Sequence, residues 1–258
     1  MARSWQIRLR KLAHRKWRLR YQEAVLEGVR LVDTALDHHV PLSCVWWAPD
    51  LLERPGGEDL LQRLREAKVQ AVPVSSAELK KVSTVETSQG LIATMDVIAP
   101  PLSEGGDLWV VVDGVQDPGN LGTIVRSAAA AGADGIFLLP GTADLYNPKT
   151  LRAAMGAAFQ IPVHSTLLSE QVLAHLHRQE ALIAVADVAG AVSPSQVDFT
   201  TPVAVVVGNE GWGPSRDMRN AADRTVRIPM PGAAESLNVA MAATVLLYEA
   251  VRQRLLVC

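Results

Sequence analysis

The chain carries an uninterrupted apolar run, Leu-Trp-Val-Val-Val at 108–112, that ends in Asp113-Gly114. Such a run is typical of a strand buried on both faces, as in a parallel sheet. Further strands are expected at 135–139, 182–186 and 202–207. Helices are expected between and after them, at 120–131, 148–159, 170–178 and 237–256. This alternation predicts an α/β domain with a parallel sheet.

The composition supports a folded α/β protein. The 258 residues are 48% hydrophobic but only 5% aromatic, which favours a parallel core of Ala, Val and Leu over a β-sandwich. The two cysteines, Cys44 and Cys258, are too few for a disulfide framework or a cysteine-based metal site. No metal site is therefore expected, and a reducing compartment fits best.

No targeting or membrane segment is recognisable. The N-terminus is basic, but the apolar core of a signal peptide does not follow it. The longest apolar stretch, at 239–251, is shorter than the roughly 20 residues that cross a bilayer. A soluble, cytoplasmic protein without a membrane partner is expected.

The sequence Ala-Pro-Pro-Leu-Ser-Glu-Gly-Gly at 99–106 has the composition of an interdomain linker. It predicts an N-terminal domain at 1–99 and a C-terminal domain at 107–258. The smaller domain is expected to be α/β as well. Its expected elements are helices at 23–38, 59–67 and 77–81 and strands at 42–47, 69–74 and 90–98.

Charge is distributed unevenly between the two halves. Residues 1–99 hold 15 Lys/Arg and 12 Asp/Glu, a net of +3, whereas residues 100–258 hold 10 and 15, a net of −5. Eight basic residues precede the first acidic one, Glu23: Arg3, Arg8, Arg10, Lys11, Arg15, Lys16, Arg18 and Arg20. The block is either a footprint for nucleic-acid phosphates or a solvated basic tail. Trp5 and Trp17 within it could stack on bases or pack the segment down.

A first polar loop, 113–126, joins a predicted strand to a predicted helix. Gly119 and Gly122 resemble the end of a dinucleotide-binding fingerprint, but Asp117 stands where that motif requires glycine. Asn120 is expected to be the N-cap of the helix. Taken alone, the loop predicts a capped helix and no particular ligand.

Two further polar loops follow predicted strands. Gly208-Asn-Glu-Gly-Trp-Gly213 comes directly after an apolar run, so the chain must turn sharply or approach a ligand closely. The segment 226–240 runs through prolines into the last helix, with Ser236 as its expected N-cap. Asn238 is not explained by helix propensity and therefore indicates a functional role.

Together the three loops resemble the SpoU (TrmH-type) ribose methyltransferases of the knotted SPOUT class. The resemblance rests on Asn120-x5-Arg126, on Gly208-Asn-Glu-Gly211, and on Ile228-Pro-Met with Glu-Ser-Leu-Asn238-Val-Ala. It covers 107–258. The N-terminal segment is similar to the family's RNA-binding domain, with a ribosomal-protein-like α/β fold, through Glu27-Gly28-x-Arg30 and Gln89-Gly90-Leu-Ile-Ala93.

The resemblance implies a trefoil knot and a homodimer through the C-terminal domain. It also implies a site for S-adenosylmethionine. The cofactor would lie against Gly208, Ile228, Met230, Leu237 and Asn238. Residues implied in catalysis are Asn120, Arg126, Glu210, Ser236 and Asn238. A bulky side chain at Gly208 is expected to fill the cofactor's space without harming the fold. The last helix is expected to carry dimer contacts at Leu246, Leu247, Val251 and Leu255.

The implied reaction is methylation of a ribose 2′-hydroxyl of structured RNA, with ribosomal RNA favoured over transfer RNA. The resemblance implies that Arg126 serves as the base. Because a guanidinium normally stays protonated, the alternative is that Arg126 clamps the adjacent phosphate and lowers the pKa of the hydroxyl. Ser236 and Glu210 then remain as proton acceptors. Two alternatives stay open: a SPOUT enzyme that methylates a base, and a non-catalytic RNA-binding protein with this fold.

Overall fold

A computed structural model describes residues 4–102 and 104–256 in two compact units. Arg3 of the basic block, Ser103 of the linker and Cys258 lie outside the described residues. The first unit comprises the described residues up to Ile98 together with Tyr146–Phe159, and the second comprises the remainder. Among the described helices, none is long and apolar enough to span a bilayer.

The first unit is built on a four-stranded mixed sheet. Its strands are β1 (Glu23–Glu27), β2 (Leu42–Trp47), β3 (Ala71–Pro73) and β4 (Leu91–Asp96), in the order β1-β4-β2-β3. Its helices are α1 (Ser4–Leu12), α2 (Arg15–Tyr21), α3 (Val29–Asp37), α4 (Gly57–Glu66), α5 (Ser76–Lys80) and α7 (Pro148–Ala154). Only β2 and β3 pair in parallel; β4 is antiparallel to both of its neighbours.

The prediction of one helix over 23–38 is wrong in its first part. Glu23–Glu27 pairs with β4, and Gly28 (φ +111°) separates that strand from α3. Here backbone pairing with a strand far along the chain outweighs the local helical pattern. The sequence around 23–27 does not reveal that partner. Gly28 provides a backbone conformation that residues with a Cβ rarely adopt.

The basic N-terminal block forms a helix pair, α1 and α2, that contributes to the core of the first unit. Leu9 and Leu12 are buried, and the ring of Trp5 stacks on that of Trp46 at 5.5 Å. Buried Arg18 donates to the carbonyl of Leu12 at 2.7 Å. The described part of the block is therefore not a solvated tail.

The second unit contains the predicted parallel sheet. Its strands are β5 (Leu108–Asp113), β6 (Gly135–Leu138), β7 (Val163–His164), β8 (Leu182–Ala186), β9 (Val203–Gly208) and β10 (Arg224–Val226), in the order β10-β8-β9-β5-β6-β7. All five strand pairs are parallel. Its helices are α6 (Pro118–Ala130), α8 (Ser169–Arg178), α9 (Arg216–Asn220) and α10 (Val239–Leu255).

The central strands β5 and β9 place the polar loops side by side. All six residues of each strand are buried, and Asp113 pairs with Gly208 at their carboxyl ends. Because the carboxyl ends of parallel strands meet at one edge of a sheet, the loops that follow β5 and β9 emerge together.

Two predicted helix caps are wrong. Helix α6 is capped by Asp117, whose side chain accepts from the Asn120 N–H at 2.9 Å, because Pro118 already occupies the first helical position. Helix α10 is capped by Asn238, whose Oδ1 accepts from the Ala240 N–H at 2.9 Å, and not by Ser236. The cap explains Asn238 structurally, and it leaves the amide group of Asn238 available for a second bond.

The prediction that Leu246 and Leu247 of α10 need a second protomer to cover them is also wrong. Both are fully buried within the second unit, where α10 packs against α6 and β9. The exposed apolar side chains of α10 are others: Met241, Val245, Tyr248 and Leu255. Their spacing of three, four and seven residues places them along one face of the helix.

Candidate functional site

A cavity of about 520 Å³ opens in the second unit between the loop after β9 and the segment between β10 and α10. Its volume lies within the roughly 300–1,000 Å³ range of small-molecule sites. All five residues that the family resemblance implies for a cofactor line it: Gly208, Ile228, Met230, Leu237 and Asn238. Glu210 and Ser236 line it as well.

A chain of hydrogen bonds joins the three polar loops beside this cavity. The Nδ2 of Asn238 donates to the Oδ1 of Asn120 at 2.9 Å. The Nδ2 of Asn120 donates in turn to the Oε1 of Glu210 at 3.0 Å. The Glu210 carboxylate also accepts from the backbone N–H groups of Gln116 (3.1 Å) and Asp117 (3.2 Å). Glu210 therefore fixes the first loop in two ways, by bonds to the backbone of that loop and by a bond to the Asn120 side chain.

The environment of Glu210 keeps its carboxylate ionised. Burial disfavours the charged form. The hydrogen bond from Asn120 and those from the backbone of Glu210, Gln116 and Asp117 together outweigh burial, so the pKa of Glu210 is lowered below its ordinary value. An ionised carboxylate has acceptor oxygens only, which matches the donors around it.

Asn209 braces the loop after β9 against the loop after β5. Its Nδ2 donates to the Gly114 carbonyl at 2.8 Å, and its Oδ1 accepts from the Gly211 N–H at 2.9 Å. Buried Asp113 adds a second brace, since its Oδ2 accepts from the Ser215 N–H at 2.6 Å. The residues around the cavity are thus fixed by contacts between the loops.

The expectation that Gly208 could be enlarged without harm to the fold is wrong. A Cβ at Gly208 would lie 2.0 Å from the Pro214 nitrogen and 2.2 Å from the Gly213 carbonyl carbon. The space beside Gly208 is filled by the backbone of its own loop. A substitution there would distort the loop whether or not a ligand is bound.

Two of the candidate catalytic residues stand apart from the hydrogen-bonded chain. The Arg126 side chain is exposed on α6, and within residues 4–102 and 104–256 it makes no hydrogen bond or ion pair. Ser236 is exposed at the cavity and likewise has no polar partner among the described residues. Asn120, Glu210 and Asn238 are brought together, whereas Arg126 and Ser236 keep free polar groups that can meet a ligand.

Sequence reasoning missed one side of the cavity. Asp187 and Val188 follow β8, and Trp212 and Arg219 also line the space. The available signal was the carboxyl end of β8, because ligands of open α/β sheets bind outside the carboxyl ends of the strands. Which strand ends lie together depends on the strand order, and the sequence does not reveal that order.

Among the described residues, no group of three or more His, Cys, Asp or Glu is arranged to hold a metal ion. The cavity combines backbone turns, apolar side chains and a few placed polar groups. This is the usual make-up of a site that fixes the orientation of a small organic ligand.

Comparison with known families gives two matches. The SpoU rRNA Methylase family matches residues 107–248. The MRM3-like substrate binding domain matches residues 7–93. The two matches follow one another along the chain and leave the linker between them.

Individual relatives match over nearly the whole chain. The chain is 32% identical to the 23S rRNA (uridine(2479)-2′-O)-methyltransferase of Streptomyces viridochromogenes, covering 95% of this chain and 88% of that protein. It is also 32% identical to the 23S rRNA (guanosine(2553)-2′-O)-methyltransferase RlmP of Bacillus subtilis (strain 168), covering 93% of this chain and 92% of that protein.

Solved structures match as closely. The SpoU methyltransferase AviRb from Streptomyces viridochromogenes, in complex with the cofactor AdoMet, has a TM-score of 0.89 at 30% identity, with 98% of each chain covered. An AdoMet-bound rRNA methyltransferase from Sinorhizobium meliloti has a TM-score of 0.87 at 28% identity, covering 98% of this chain and 95% of that one.

Proposed function

The chain belongs to the SpoU rRNA methylase family, and from this membership and the geometry of the cavity we propose that it transfers a methyl group from S-adenosylmethionine to a ribose 2′-hydroxyl of ribosomal RNA. The observation that carries the proposal is the hydrogen-bonded chain Glu210–Asn120–Asn238 beside a ligand-sized cavity. The low cysteine content supports a cytoplasmic location for this activity.

The cavity residues fit S-adenosylmethionine. Gly208, Ile228, Met230 and Leu237 offer backbone groups and apolar surface for an adenosine, and Asn238 adds a polar group at the same wall. When bound, the cofactor supplies a strongly electrophilic methyl group. The main task left to the protein is to hold a hydroxyl in line with that methyl group.

Asn120, Glu210 and Asn238 act as a positioning unit. Glu210 fixes the loop after β5, and Asn120 ties that loop to the start of α10. Both Glu210 oxygens already accept hydrogen bonds, and the pKa of Glu210 is lowered. Its carboxylate is nevertheless a stronger base than the neutral hydroxyl of Ser236, so Glu210 is the better of the two candidate acceptors for the proton of the ribose hydroxyl. Asn120 faces the substrate from the same loop.

Arg126 clamps the phosphate next to the target ribose and lowers the pKa of the hydroxyl through its charge. Its side chain is exposed and has no protein partner among the described residues, as a phosphate-binding guanidinium requires. A planar guanidinium also matches phosphate oxygens bidentately, which a lysine does not.

The N-terminal domain, residues 1–99, binds the RNA, and residues 107–258 form the methyltransferase domain. The match of 7–93 to a substrate binding domain supports this division. Tyr146–Phe159 belongs to the first unit by packing. Ribosomal RNA is the proposed substrate because the two relatives compared above act on 23S rRNA by name.

The chain acts as a homodimer whose C-terminal segments form a trefoil knot. The support for the dimer is the exposed apolar stripe of α10, formed by Met241, Val245, Tyr248 and Leu255. The support for the knot is the structural match to SpoU methyltransferases across 98% of the chain.

The test uses RNA that lacks the modification. Ribosomal and transfer RNA from a strain without this gene are incubated with the protein and with S-adenosylmethionine labelled in its methyl group. We expect label in the ribosomal fraction alone, and little label in ribosomal RNA from the parent strain, which is already methylated. Label confined to transfer RNA would contradict the substrate. Cofactor binding without any transfer would favour the non-catalytic alternative.

A further inference from the structure

Trp212 is the most exposed large apolar side chain among the described residues, at 87%. It nevertheless lines the cavity described above, two residues after Glu210 in the same loop. Such a tryptophan leaves a large apolar area in contact with water, which is unfavourable. Aromatic side chains exposed at the rim of a site commonly bind a ligand. The residue has no part in the hydrogen-bonded chain.

The backbone that carries Trp212 is firmly held. Asn209 and Gly213 exchange two backbone hydrogen bonds, of 3.0 and 2.9 Å, and close the loop at its base. The Trp212 N–H donates to the Oδ1 of Asn209 at 3.2 Å, and the Trp212 carbonyl accepts from the Nη2 of Arg219 at 3.1 Å. Arg219 is itself paired with Asp187 at 3.0 Å. The loop thus presents the indole from a fixed backbone position.

Resting on the proposed function, we propose that Trp212 stacks on a nucleobase of the substrate RNA, next to the ribose that is methylated. The target ribose has to approach the cavity, so its own base or a neighbouring base comes within reach of the cavity rim. Aromatic side chains bind unpaired RNA bases by stacking. Trp212 is then a positioning residue, which holds the nucleotide while other residues act on the hydroxyl.

The surroundings of Trp212 favour a base over the other possible occupants. The neighbours in its loop, Glu210, Gly211 and Gly213, are charged or lack side chains, unlike the apolar stripe of α10 proposed for the dimer. A protein interface would be expected to continue the apolar surface. The adenine of the cofactor is expected against buried Val207 and half-buried Ile228, and not against a side chain as exposed as Trp212.

The experiment compares Trp212→Ala and Trp212→Phe with the wild type. The matched control is Leu168→Ala, which removes another exposed apolar side chain of the second unit that does not line the cavity. Single-turnover methylation is measured against the concentration of ribosomal RNA from the strain without this gene. Calorimetry with S-adenosylmethionine and light scattering are carried out on the same four proteins.

We expect Trp212→Ala to raise the RNA concentration at half-maximal rate by about 5- to 150-fold, the scale of one base–aromatic stack. Trp212→Phe should retain most of the affinity, and Leu168→Ala should match the wild type. Cofactor affinity and oligomeric state should stay unchanged throughout. An unchanged RNA dependence in Trp212→Ala would overturn the inference. A loss of cofactor affinity would assign Trp212 to the adenine instead, and a change in oligomeric state would assign it to a subunit contact. Absence of methylation by the wild type would reject the proposed function itself.

Discussion

At the scale of single residues, two side-chain amides and one carboxylate of the site hold each other in place: Asn120, Asn238 and Glu210. Asn120 has one acceptor and one donor group in its side chain, and both are used, toward Asn238 and Glu210. The geometry leaves Arg126 as the polar side chain of α6 that can meet a phosphate. The site therefore combines three side chains that are fixed by hydrogen bonds with one exposed cation, Arg126, that can bind the substrate.

We predict that Arg126→Ala leaves folding and cofactor binding intact but lowers turnover roughly 100-fold or more, the usual scale for one placed charge. A merely structural arginine on this exposed helix face would cost within about 0.5 kcal/mol of stability and no activity. Single-turnover methylation of ribosomal RNA is the measurement. Arg126→Lys keeps the charge without the planar fork, so a large residual rate in that variant would mean that charge alone suffices. A wild-type rate in the alanine variant would contradict the proposed role.

A second prediction concerns two buried histidines. Burial lowers the pKa of both His164 and His175. The charge of His175 lowers the pKa of His164 further. The charge of Arg178 lowers the pKa of His175 further, and Glu104 partly offsets this. Both imidazoles contact the Phe137 ring. The unfolded chain binds protons near pH 6.5 while the folded protein does not, so stability is present above that pH and is lost as the pH falls below it.

As the pH falls, the free energy of unfolding should decrease by at most about 1.4 kcal/mol per pH unit for each histidine. Urea unfolding at pH 7.5 and 5.5 measures it. The double variant His164→Leu, His175→Leu should show a smaller difference between the two pH values than the wild type. If the free energy of unfolding changed equally between the two pH values in both proteins, groups other than these histidines would dominate the loss of stability at low pH.

At the scale of secondary-structure elements, the helix pair α1 and α2 combines packing with charge. Arg8 is engaged with Glu23 at 2.6 Å, and Arg18 is buried. By contrast Arg15, Lys16 and Arg20 are exposed, and the last two lie over the Trp17 ring at 5.8 and 5.3 Å. The exposed three are the candidates for phosphate contacts.

Changing Arg15, Lys16 and Arg20 to Gln should weaken RNA binding and flatten its salt dependence by about 0.7–0.9 per lost contact. Deleting the whole segment would not test this, because Leu9 and Leu12 belong to the core. The matched control changes three exposed cations elsewhere in the first unit, Arg54, Arg65 and Lys68. A salt slope that is the same in wild type and triple variant would contradict phosphate binding by α2.

The elements differ in how far the sequence predicts them. Strands β5 and β9 are predictable because a continuous apolar run fits a strand buried on both faces. Strand β1 is not, because Glu-Ala-Val-Leu-Glu fits either period and its pairing with β4 lies far along the chain. Asp187 was missed for the same reason: its place at the cavity depends on which strand ends lie side by side.

At the scale of the whole molecule, we expect the exposed apolar stripe of α10 to form the interface of the proposed dimer. Light scattering at micromolar concentration should give twice the mass of one chain. The double variant Val245→Glu, Tyr248→Glu should be monomeric, since like charges would face each other across a symmetric interface. The control Leu52→Glu, Leu168→Glu alters two exposed apolar residues off this stripe and should stay dimeric. A monomeric wild type would contradict the dimer.

The position of the transferred methyl group tests the central claim most directly. Ribosomal RNA labelled by the protein is hydrolysed with alkali, which cleaves the chain only where a free 2′-hydroxyl is present. We predict that the label appears in an alkali-resistant dinucleotide, because a 2′-O-methylated ribose lacks the free hydroxyl needed to cleave the adjacent phosphodiester bond. Label recovered in single nucleotides that carry a methylated base would contradict it, and would make the protein a base methyltransferase with the same fold.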